Sequence, residues 1–170
     1  MEAVEKVLLK GKFRSCYEGH GWEYIKRNNC RGIVVIWPIT NEGKVIFLEH
    51  YRVPVGRNVI EFPAGLVDDQ ASFADESFED AARRELLEET GYQAQEIVRI
   101  TDGPASSGCS ADLLTFYRAS DLQKTGEGGG DDTEMITVHE VPLKESYEWL
   151  ETMRAQGYIV GPKVYMGLYY

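Results

Sequence analysis

The sequence has few of the features that mark a secreted or membrane-bound protein. Its three cysteines, Cys16, Cys30 and Cys109, include no C-x-x-C pair, so we expect reduced thiols rather than a disulfide framework. The three histidines have no metal-ligand spacing and are expected to be structural. No apolar run approaches the ~18 residues of a transmembrane helix, and the acidic N-terminus lacks a signal-peptide pattern. We therefore expect a cytoplasmic protein with no membrane partner.

Positive charge is also scarce. The chain has 18 lysines and arginines against 28 acidic residues, which gives a formal net charge of −10. Such a protein repels a phosphate backbone, so we do not expect general nucleic-acid binding. It can still bind a smaller polyanion if its carboxylates hold metal ions, because the metals reverse the local field.

Length and patterning predict a single domain over residues 1–170. Hydrophobic residues make up 43% of the chain, which is enough for a core without disulfides. Residues 1–30 include short antiparallel strands, and two segments that end at glycine predict helices over 77–90 and 143–155. Strands and helices alternate unevenly, so we expect an α/β (α+β) fold with one mixed sheet between helices.

The strongest strand signal is the apolar run over residues 32–37, which is typical of a strand covered on both faces. With the turn at 41–43 and the strand at 44–51, it is expected to form a hairpin. Further strands are predicted at 58–62, 96–101, 113–119 and 135–141. The apolar tail after Pro162 is expected to pack on the body of the protein.

The helix over residues 77–90 carries a group of carboxylates. At ~100° per residue, Glu85 and Glu89 lie one turn apart. Both point within ~40° of Phe78 and Ala82, which must face the core. Glu88 lies about 60° from Glu85 on the same count. The remaining, solvated face is assigned to Asp80, Arg83 and Arg84.

Carboxylates on an inward stripe repel one another and lose hydration. A bound cation removes both penalties, and oxygen ligands favour Mg²⁺, with Mn²⁺ as a possible substitute, over zinc. The alternative is a charged helix with intrahelical salt bridges, such as Arg84 with Glu88.

The same segment resembles the Nudix box, G-x5-E-x7-R-E-U-x-E-E-x-G-U, in which U is a bulky apolar residue. Its C-terminal part matches fully, at Glu76, Arg84, Glu85, Leu86, Glu88, Glu89, Gly91 and Tyr92. The box glycine is assigned to Gly65, but ten residues separate it from Glu76 where the pattern has five. The resemblance is therefore to a Nudix box with a five-residue insertion.

The five inserted residues equal in length one unit of a near-repeat, SFADE at 72–76 followed by SFEDA at 77–81. Five extra residues inside a helix would rotate its upstream face by about 140°. We therefore place the insertion in the loop before the helix. Ser77 is then the predicted N-cap, with Asp80 three residues later.

Flanking motifs narrow the resemblance to the ADP-ribose pyrophosphatase branch of Nudix hydrolases. They are WEYIKR at 22–27, YRVP at 51–54 and EFPAG at 61–65. The resemblance implies a Nudix fold and Mg²⁺-dependent hydrolysis of the diphosphate of ADP-ribose or another nucleoside-diphosphate sugar. The products would be a nucleoside monophosphate and a sugar phosphate. It also implies a homodimer in which residues 1–30 help to build the partner's site, so that Trp22 and Glu23 act in trans.

The resemblance implies roles for individual residues. Glu85 and Glu89 would bind metal, with Glu88 shared or bridging. The backbone carbonyl of Ala64 would be a further ligand, and Arg84 would orient the glutamates.

On the substrate side, Trp22 would stack on the base and Glu23 would meet its polar edge. Arg27 and Arg52 would hold ribose or phosphate. The alternatives are a core or dimer-interface role for Trp22 and a surface salt bridge for Arg52.

Ser107 and Gly108 are also candidate substrate-binding residues, because the branch has an S-P-G-like turn at this point. Ser107 stands where the branch usually has proline. The resemblance therefore indicates nucleoside-diphosphate sugars as a class rather than ADP-ribose alone.

The general base in this branch lies on a loop before a late strand. Here that loop covers residues 128–134, and Asp132 and Glu134 match the branch's acidic pair, Glu134 slightly better. The alternative is a solvated loop without a catalytic role.

Two other functions remain open. One is a Nudix hydrolase that acts on a dinucleotide or a nucleoside triphosphate, which the flanking motifs disfavour. The other is a catalytically silent sensor of nucleotide sugars, which the presence of Glu85, Glu88 and Glu89 disfavours.

Overall fold

The structure, a computed structural model, describes residues 5–68, 70–130 and 135–169. Within them the chain forms eleven strands and three α-helices. The strands are β1 (Lys6–Lys10), β2 (Arg14–Gly19), β3 (Trp22–Arg27), β4 (Gly32–Pro38), β5 (Lys44–Arg52), β6 (Arg57–Glu61), β7 (Ala64–Val67), β8 (Tyr92–Pro104), β9 (Leu113–Lys124), β10 (Ile136–Pro142) and β11 (Ile159–Val160). The helices are α1 (Phe78–Thr90), α2 (Ser146–Ala155) and α3 (Pro162–Tyr169).

The strands form three sheets. β1, β2 and β3 make a small antiparallel sheet at the N-terminus, as predicted. A second sheet has the order β10-β5-β6-β11, and a third has the order β7-β4-β9-β8. Each of these two is mixed, since β6 and β11 pair in parallel and so do β4 and β9. The α+β class is confirmed, although the single mixed sheet that we expected is divided into two.

β4 is covered on both faces, as its apolar run predicted. Val35 and Trp37 join a core cluster with β5, β6, α2 and α3, while Val34 and Ile36 join a second cluster with α1. The predicted hairpin of β4 with β5 is reduced to its turn and one isolated antiparallel bridge, between Ile39 and Val45. Both edges of β4 are already bonded, to β7 and β9, so β5 pairs with β6 and β10 instead.

The helices agree with the sequence more closely than the strands do. α1 covers the predicted segment, and Gly91 ends it in the left-handed conformation (φ 75°) that glycine adopts without strain. α2 begins three residues later than predicted, after a 3₁₀ turn at Leu143–Glu145. The apolar tail forms α3 and packs on the body through buried Val164.

Among the described residues, no helix combines the length and the apolar character that crossing a membrane requires.

Candidate active site

Helix α1 begins at a side-chain cap and turns an acidic stripe inward. The Ser77 hydroxyl accepts a hydrogen bond from the Asp80 N–H at 3.0 Å, as predicted. Three turns later Glu89 is only 4% exposed. Its carboxylate accepts a hydrogen bond from the Ala64 N–H at 2.9 Å. The predicted inward direction of Glu89 is confirmed.

The carboxylate of Glu85 lies directly against the backbone of Gly65. A Cβ at position 65 would come within 1.9 Å of the Glu85 carboxyl carbon, so only glycine leaves room for this approach. β7 therefore presents two consecutive backbone residues, Ala64 and Gly65, to two carboxylates one helical turn apart. The side chains of Glu85 and Glu89 converge there.

Arg84 binds three carboxylates at once. Its Nη1 donates to Glu85 at 2.7 Å and to Glu88 at 3.1 Å, and its Nη2 donates to Glu76 at 2.9 Å. Burial by itself would lower the pKa of Arg84, but the hydrogen bonds and charges of Glu76 and Glu85 outweigh it and raise that pKa. Arg84 is therefore held as a cation between the glutamates.

Two details of the helical-wheel prediction are wrong. The Arg84 side chain, assigned to the solvated face, is only 15% exposed. The Glu88 side chain, assigned to the inward stripe, is 48% exposed. A helical wheel takes only the helix into account. In the folded chain the loop before α1 covers Arg84, whereas Glu88 stays exposed to solvent.

The oxygen atoms around Ala64 and Gly65 suit a hard divalent cation. The N–H and C=O of one strand residue point to the same side of the strand, so the Ala64 carbonyl lies on the edge where its N–H meets Glu89. Across the residues that the structure describes, no three acidic, histidine or cysteine side chains form a compact metal cluster. Glu85 and Glu88 bind Arg84 instead, which relieves their mutual repulsion.

Trp22, Ser107 and Gly108 line one cavity of about 420 Å³. The turn that follows β8 docks on β3, because the Ile25 N–H donates to the Cys109 carbonyl at 2.9 Å. Three of the predicted substrate-binding residues are thus brought together within one chain. Trp22 is 60% exposed, so it is not a core tryptophan and its ring is open to stacking.

The other predicted substrate-binding residues do not line this cavity. Side chains alternate along a strand, so Glu23 and Arg27 face the side of β3 opposite Trp22. Arg27 forms an ion pair with Asp112 at 3.4 Å. Glu23 is exposed.

Arg52 pairs with Glu61 at 2.5 Å. Glu61 ends β6, three residues before Ala64, so Arg52 is held beside the segment on which Glu85 and Glu89 converge. The Arg52 side chain is 39% exposed, which leaves it open to a ligand as well.

A model of the NUDIX domain matches residues 30–159, well over half of the chain. The chain belongs to the Nudix family. The matched region contains Ala64 and Gly65, on which the Glu85 and Glu89 side chains converge. It also contains the whole of α1 and the turn that carries Ser107 and Gly108. The predicted family is confirmed.

Several curated relatives are similar to this Nudix chain. An ADP-ribose pyrophosphatase of Bacillus subtilis is 33% identical over 122 residues, which cover 71% of this chain and 63% of that protein. A methanol dehydrogenase activator of Bacillus methanolicus is 31% identical over 124 residues, covering 72% and 64%. This chain thus spans under two thirds of the length of both. A GDP-mannose pyrophosphatase of Escherichia coli is 32% identical over 141 residues, covering 78% and 70%.

A solved structure described as an ADP compounds hydrolase superposes with a TM-score of 0.67. The match covers 92% of this chain and 96% of that one, at 19% sequence identity. At this identity the likeness concerns the fold, and it confirms the predicted Nudix fold.

A glycine-rich segment, residues 126–130, covers the C-terminal end of α1. The Gly129 N–H donates to the Glu89 carbonyl at 2.9 Å, and the Gly130 N–H donates to the Glu88 carbonyl at 3.1 Å. Carbonyls that have no partner inside the helix are thereby satisfied. The segment leads towards Asp132 and Glu134, the predicted base candidates, which lie outside the described residues and whose role stays a prediction.

Sequence reasoning missed two residues around Arg84. Glu76 was recognised as a box residue but was given no role, and it is the carboxylate that binds the second edge of Arg84. The ring of Phe73, inside the insertion, lies 4.2 Å from the Arg84 guanidinium. For Phe73 the available signal in the sequence was the near-repeat that contains it. A repeat does not show which side chain the additional copy will contact.

Proposed function

We propose that this chain is a Mg²⁺-dependent hydrolase that cleaves the diphosphate of ADP-ribose or another nucleoside-diphosphate sugar. The observation that carries the proposal is the convergence of the Glu85 and Glu89 carboxylates on the backbone of Ala64 and Gly65. Packing a helix against a strand does not require one buried and one half-buried carboxylate at the contact. Divalent ions bound to these carboxylates could hold a diphosphate there.

The ligands proposed for the metal are Glu85, Glu88, Glu89 and the Ala64 carbonyl. When bound, the ions would neutralise phosphate charge and lower the pKa of water for in-line attack. Arg84 would hold Glu85 and Glu88 in place through its Nη1 hydrogen bonds. Mn²⁺ is expected to substitute for Mg²⁺, since both prefer oxygen ligands.

The general base is proposed to be Glu134, with Asp132 as the second candidate. Backbone hydrogen bonds from Gly129 and Gly130 to the end of α1 support this assignment. They tether the segment that leads to both acids to the same helical turn that carries Glu88 and Glu89.

The cavity beside Trp22 is proposed to take the nucleoside. Its apolar wall and exposed indole suit a stacked base. Arg52 would bind phosphate or ribose from its place beside the metal site, and Arg27 and Glu23 would act from the other face of β3. Two relatives are described as pyrophosphatases of ADP-ribose and of GDP-mannose, so both sugars belong among the candidates.

A homodimer in the cytoplasm is part of the proposal. All five residues of β1 are exposed, and Leu9 and Phe13 are each more than two-thirds exposed. An apolar sheet surface of this kind is typical of an interface. In this dimer β3 would contribute Trp22 and Glu23 to the partner's site.

A substrate panel tests the proposal. The protein would be assayed with ADP-ribose, ADP-glucose, GDP-mannose and UDP-glucose, with a dinucleotide and nucleoside triphosphates alongside, in Mg²⁺ and in EDTA. We expect metal-dependent release of a nucleoside monophosphate from at least one nucleotide sugar. Hydrolysis of the dinucleotide or triphosphates alone would contradict the substrate class, and tight binding without turnover would indicate a sensor.

The variant Glu89→Gln removes one buried ligand charge with little change in shape. We expect turnover to fall about a hundredfold or more, because several kcal/mol of charge stabilisation depend on the ions. Glu79→Gln, on the exposed first turn of the same helix, should stay within about twofold of the wild type. Equal turnover in wild type and Glu89→Gln would remove Glu89 from the mechanism.

A further inference from the structure

The insertion that separates Gly65 from Glu76 folds into a pinned loop rather than a free one. The Asp68 N–H donates to Glu76 at 3.1 Å, and the Asp75 N–H donates to Asp68 at 3.1 Å. Arg31 ties the loop to the body, through an ion pair with Asp68 at 2.8 Å and a hydrogen bond to the Glu76 carbonyl. Both ends of the loop are therefore fixed close to Arg84.

The loop places one aromatic ring on Arg84. The Phe73 ring centroid lies 4.2 Å from the guanidinium carbon, well inside the range of a cation–π contact. The Arg84 side chain is 15% exposed, so this contact is made on a largely desolvated cation. Hydrogen bonds occupy the edges of the guanidinium, and its central carbon lies over the Phe73 ring.

The two halves of the near-repeat have separate places. Phe73 covers Arg84, whereas Phe78, at the same position of the second copy, packs on Gly32, where a Cβ would lie 2.7 Å from its ring. The repeat therefore supplies an additional aromatic residue over the glutamate-binding arginine, without displacing the phenylalanine that the helix itself needs.

We propose that Phe73 is a positioning residue for the divalent-metal site, acting through Arg84. The inference rests on the proposed metal-binding function of Glu85 and Glu88. Arg84 touches both carboxylates with the same nitrogen, so a tilt of its plane moves both. The Phe73 ring restricts that tilt, because it lies 4.2 Å from the guanidinium carbon and is itself held by the pinned loop.

Direct metal binding tests the proposal. Mn²⁺ affinity would be measured by electron paramagnetic resonance for the wild type, Phe73→Leu and Phe73→Tyr. Leucine keeps apolar bulk but has no aromatic face, whereas tyrosine keeps the ring. We expect Phe73→Leu to bind Mn²⁺ about three- to tenfold more weakly, the size of a cation–π contact on a partly buried cation. Phe73→Tyr should match the wild type.

Phe116→Leu is the matched control, because Phe116 is buried in the core cluster that contains no residue of α1. It should lower the melting temperature, because it removes buried apolar volume, and leave Mn²⁺ affinity unchanged. Thermal melts of all variants separate loss of folding from loss of metal. Equal Mn²⁺ affinity in Phe73→Leu and the wild type would overturn the proposal, as would equal weakening in Phe73→Leu and Phe73→Tyr.

A failure of the positioning role of Phe73 can be distinguished from a failure of the proposed hydrolase function. If the wild type binds Mn²⁺ and Phe73→Leu weakens it, the inference holds even if no nucleotide sugar is hydrolysed. If the wild type hydrolyses a nucleotide sugar, Phe73→Leu should raise the Mg²⁺ concentration for half-maximal rate and leave KM for the substrate unchanged. A change in KM alone would contradict a role at the metal site.

Discussion

The absence of a side chain at Gly65 makes room for the carboxylate of Glu85. The ideal Cβ position lies 1.9 Å from the Glu85 carboxyl carbon, a distance that no pair of non-bonded atoms adopts. Backbone conformation does not explain the glycine, because the left-handed region is not involved at this position. The space that Glu85 occupies therefore accounts for the glycine.

The variant Gly65→Ala should consequently displace Glu85 from the backbone. We expect turnover to fall about a hundredfold, whereas the free energy of unfolding should change by less than about 1 kcal/mol, because the flexible end of Glu85 can move away. Assays and denaturant unfolding would measure both. Gly103→Ala is the control, since a Cβ there meets nothing within 4 Å. Similar effects in the two variants would contradict the explanation.

At this scale the sequence predicted the inward glutamates but not the environment of Arg84. Helical spacing is enough to place Glu85 and Glu89 opposite the solvent, because it depends only on the helix. The burial of Arg84 depends on where the inserted loop folds, and that is set in part by contacts to Arg31, which lies 45 residues before Glu76 in the chain. No local pattern in the sequence encodes them.

Among the secondary-structure elements, α1 is held at its C-terminal end by the glycine-rich segment. A Cβ on Gly128 would lie 2.4 Å from the Thr90 carbonyl carbon, and Gly128 has a φ of +71°. Gly129 also has a positive φ, +108°, but a Cβ there would meet nothing within 4 Å. A comparison of substitutions at Gly128 and Gly129 therefore separates the effect of backbone strain from that of steric contact with the helix.

Gly128→Ala should therefore push the segment off the end of α1. We expect both Gly128→Ala and Gly129→Ala to lose about 1–3 kcal/mol of stability through strain, but only Gly128→Ala to lose most of its turnover. Thermal melts and initial rates would measure the two effects. Full activity in Gly128→Ala would show that the contact does not matter for the site.

A second link joins β8 to β10 through Tyr92 and Glu140. The Tyr92 hydroxyl donates to Glu140 at 2.7 Å. This hydrogen bond is the main cause that lowers the pKa of Glu140, with Lys44 and Lys124 contributing and burial opposing it. The stabilisation is therefore present above the ordinary glutamate pKa and is lost as the pH falls through the lowered pKa of the folded state.

Tyr92→Phe should cost about 1–2 kcal/mol near pH 7. The difference from the wild type should shrink at an acid pH below the lowered pKa of Glu140 in the folded state, because the carboxylate is then protonated. Urea unfolding at the two pH values would measure it. Tyr117→Phe is the control, because the pKa of Tyr117 is raised chiefly by burial. A difference that is equal at both pH values would contradict the assignment to Glu140.

The elements themselves were predictable to different degrees. α1 could be predicted because its cap, its stripe and its terminal glycine are all local. The pairing of β4 could not, since an apolar strand covered on both faces accepts partners from anywhere in the chain. Its neighbours β7 and β9 come from segments about thirty and eighty residues further along.

At the scale of the whole molecule, the small N-terminal sheet is the part that a partner subunit would cover. β1 is exposed throughout, and Leu9 is 69% exposed. A proposed dimer through this sheet would bury these side chains. Sequence resemblance suggested the dimer, and the exposed apolar surface supports it.

Leu9→Glu should therefore shift the chain towards a monomer in analytical ultracentrifugation, because it places a charge in the apolar interface. Val98→Glu, on an exposed position of β8, should leave the sedimentation coefficient unchanged. If the wild type sediments as a monomer at micromolar concentration, the dimer through the N-terminal sheet is wrong.

Glu85, Glu88 and Glu89 are proposed to hold divalent ions against a bridging diphosphate. A crystal soaked with Mn²⁺ and an ADP-ribose analogue with a methylene-bridged diphosphate would test it through the anomalous signal of the metal. We predict an ion within coordination distance of the Glu85 and Glu89 carboxylates and of the analogue's phosphate oxygens. An analogue bound with no ion at these glutamates would contradict the claim.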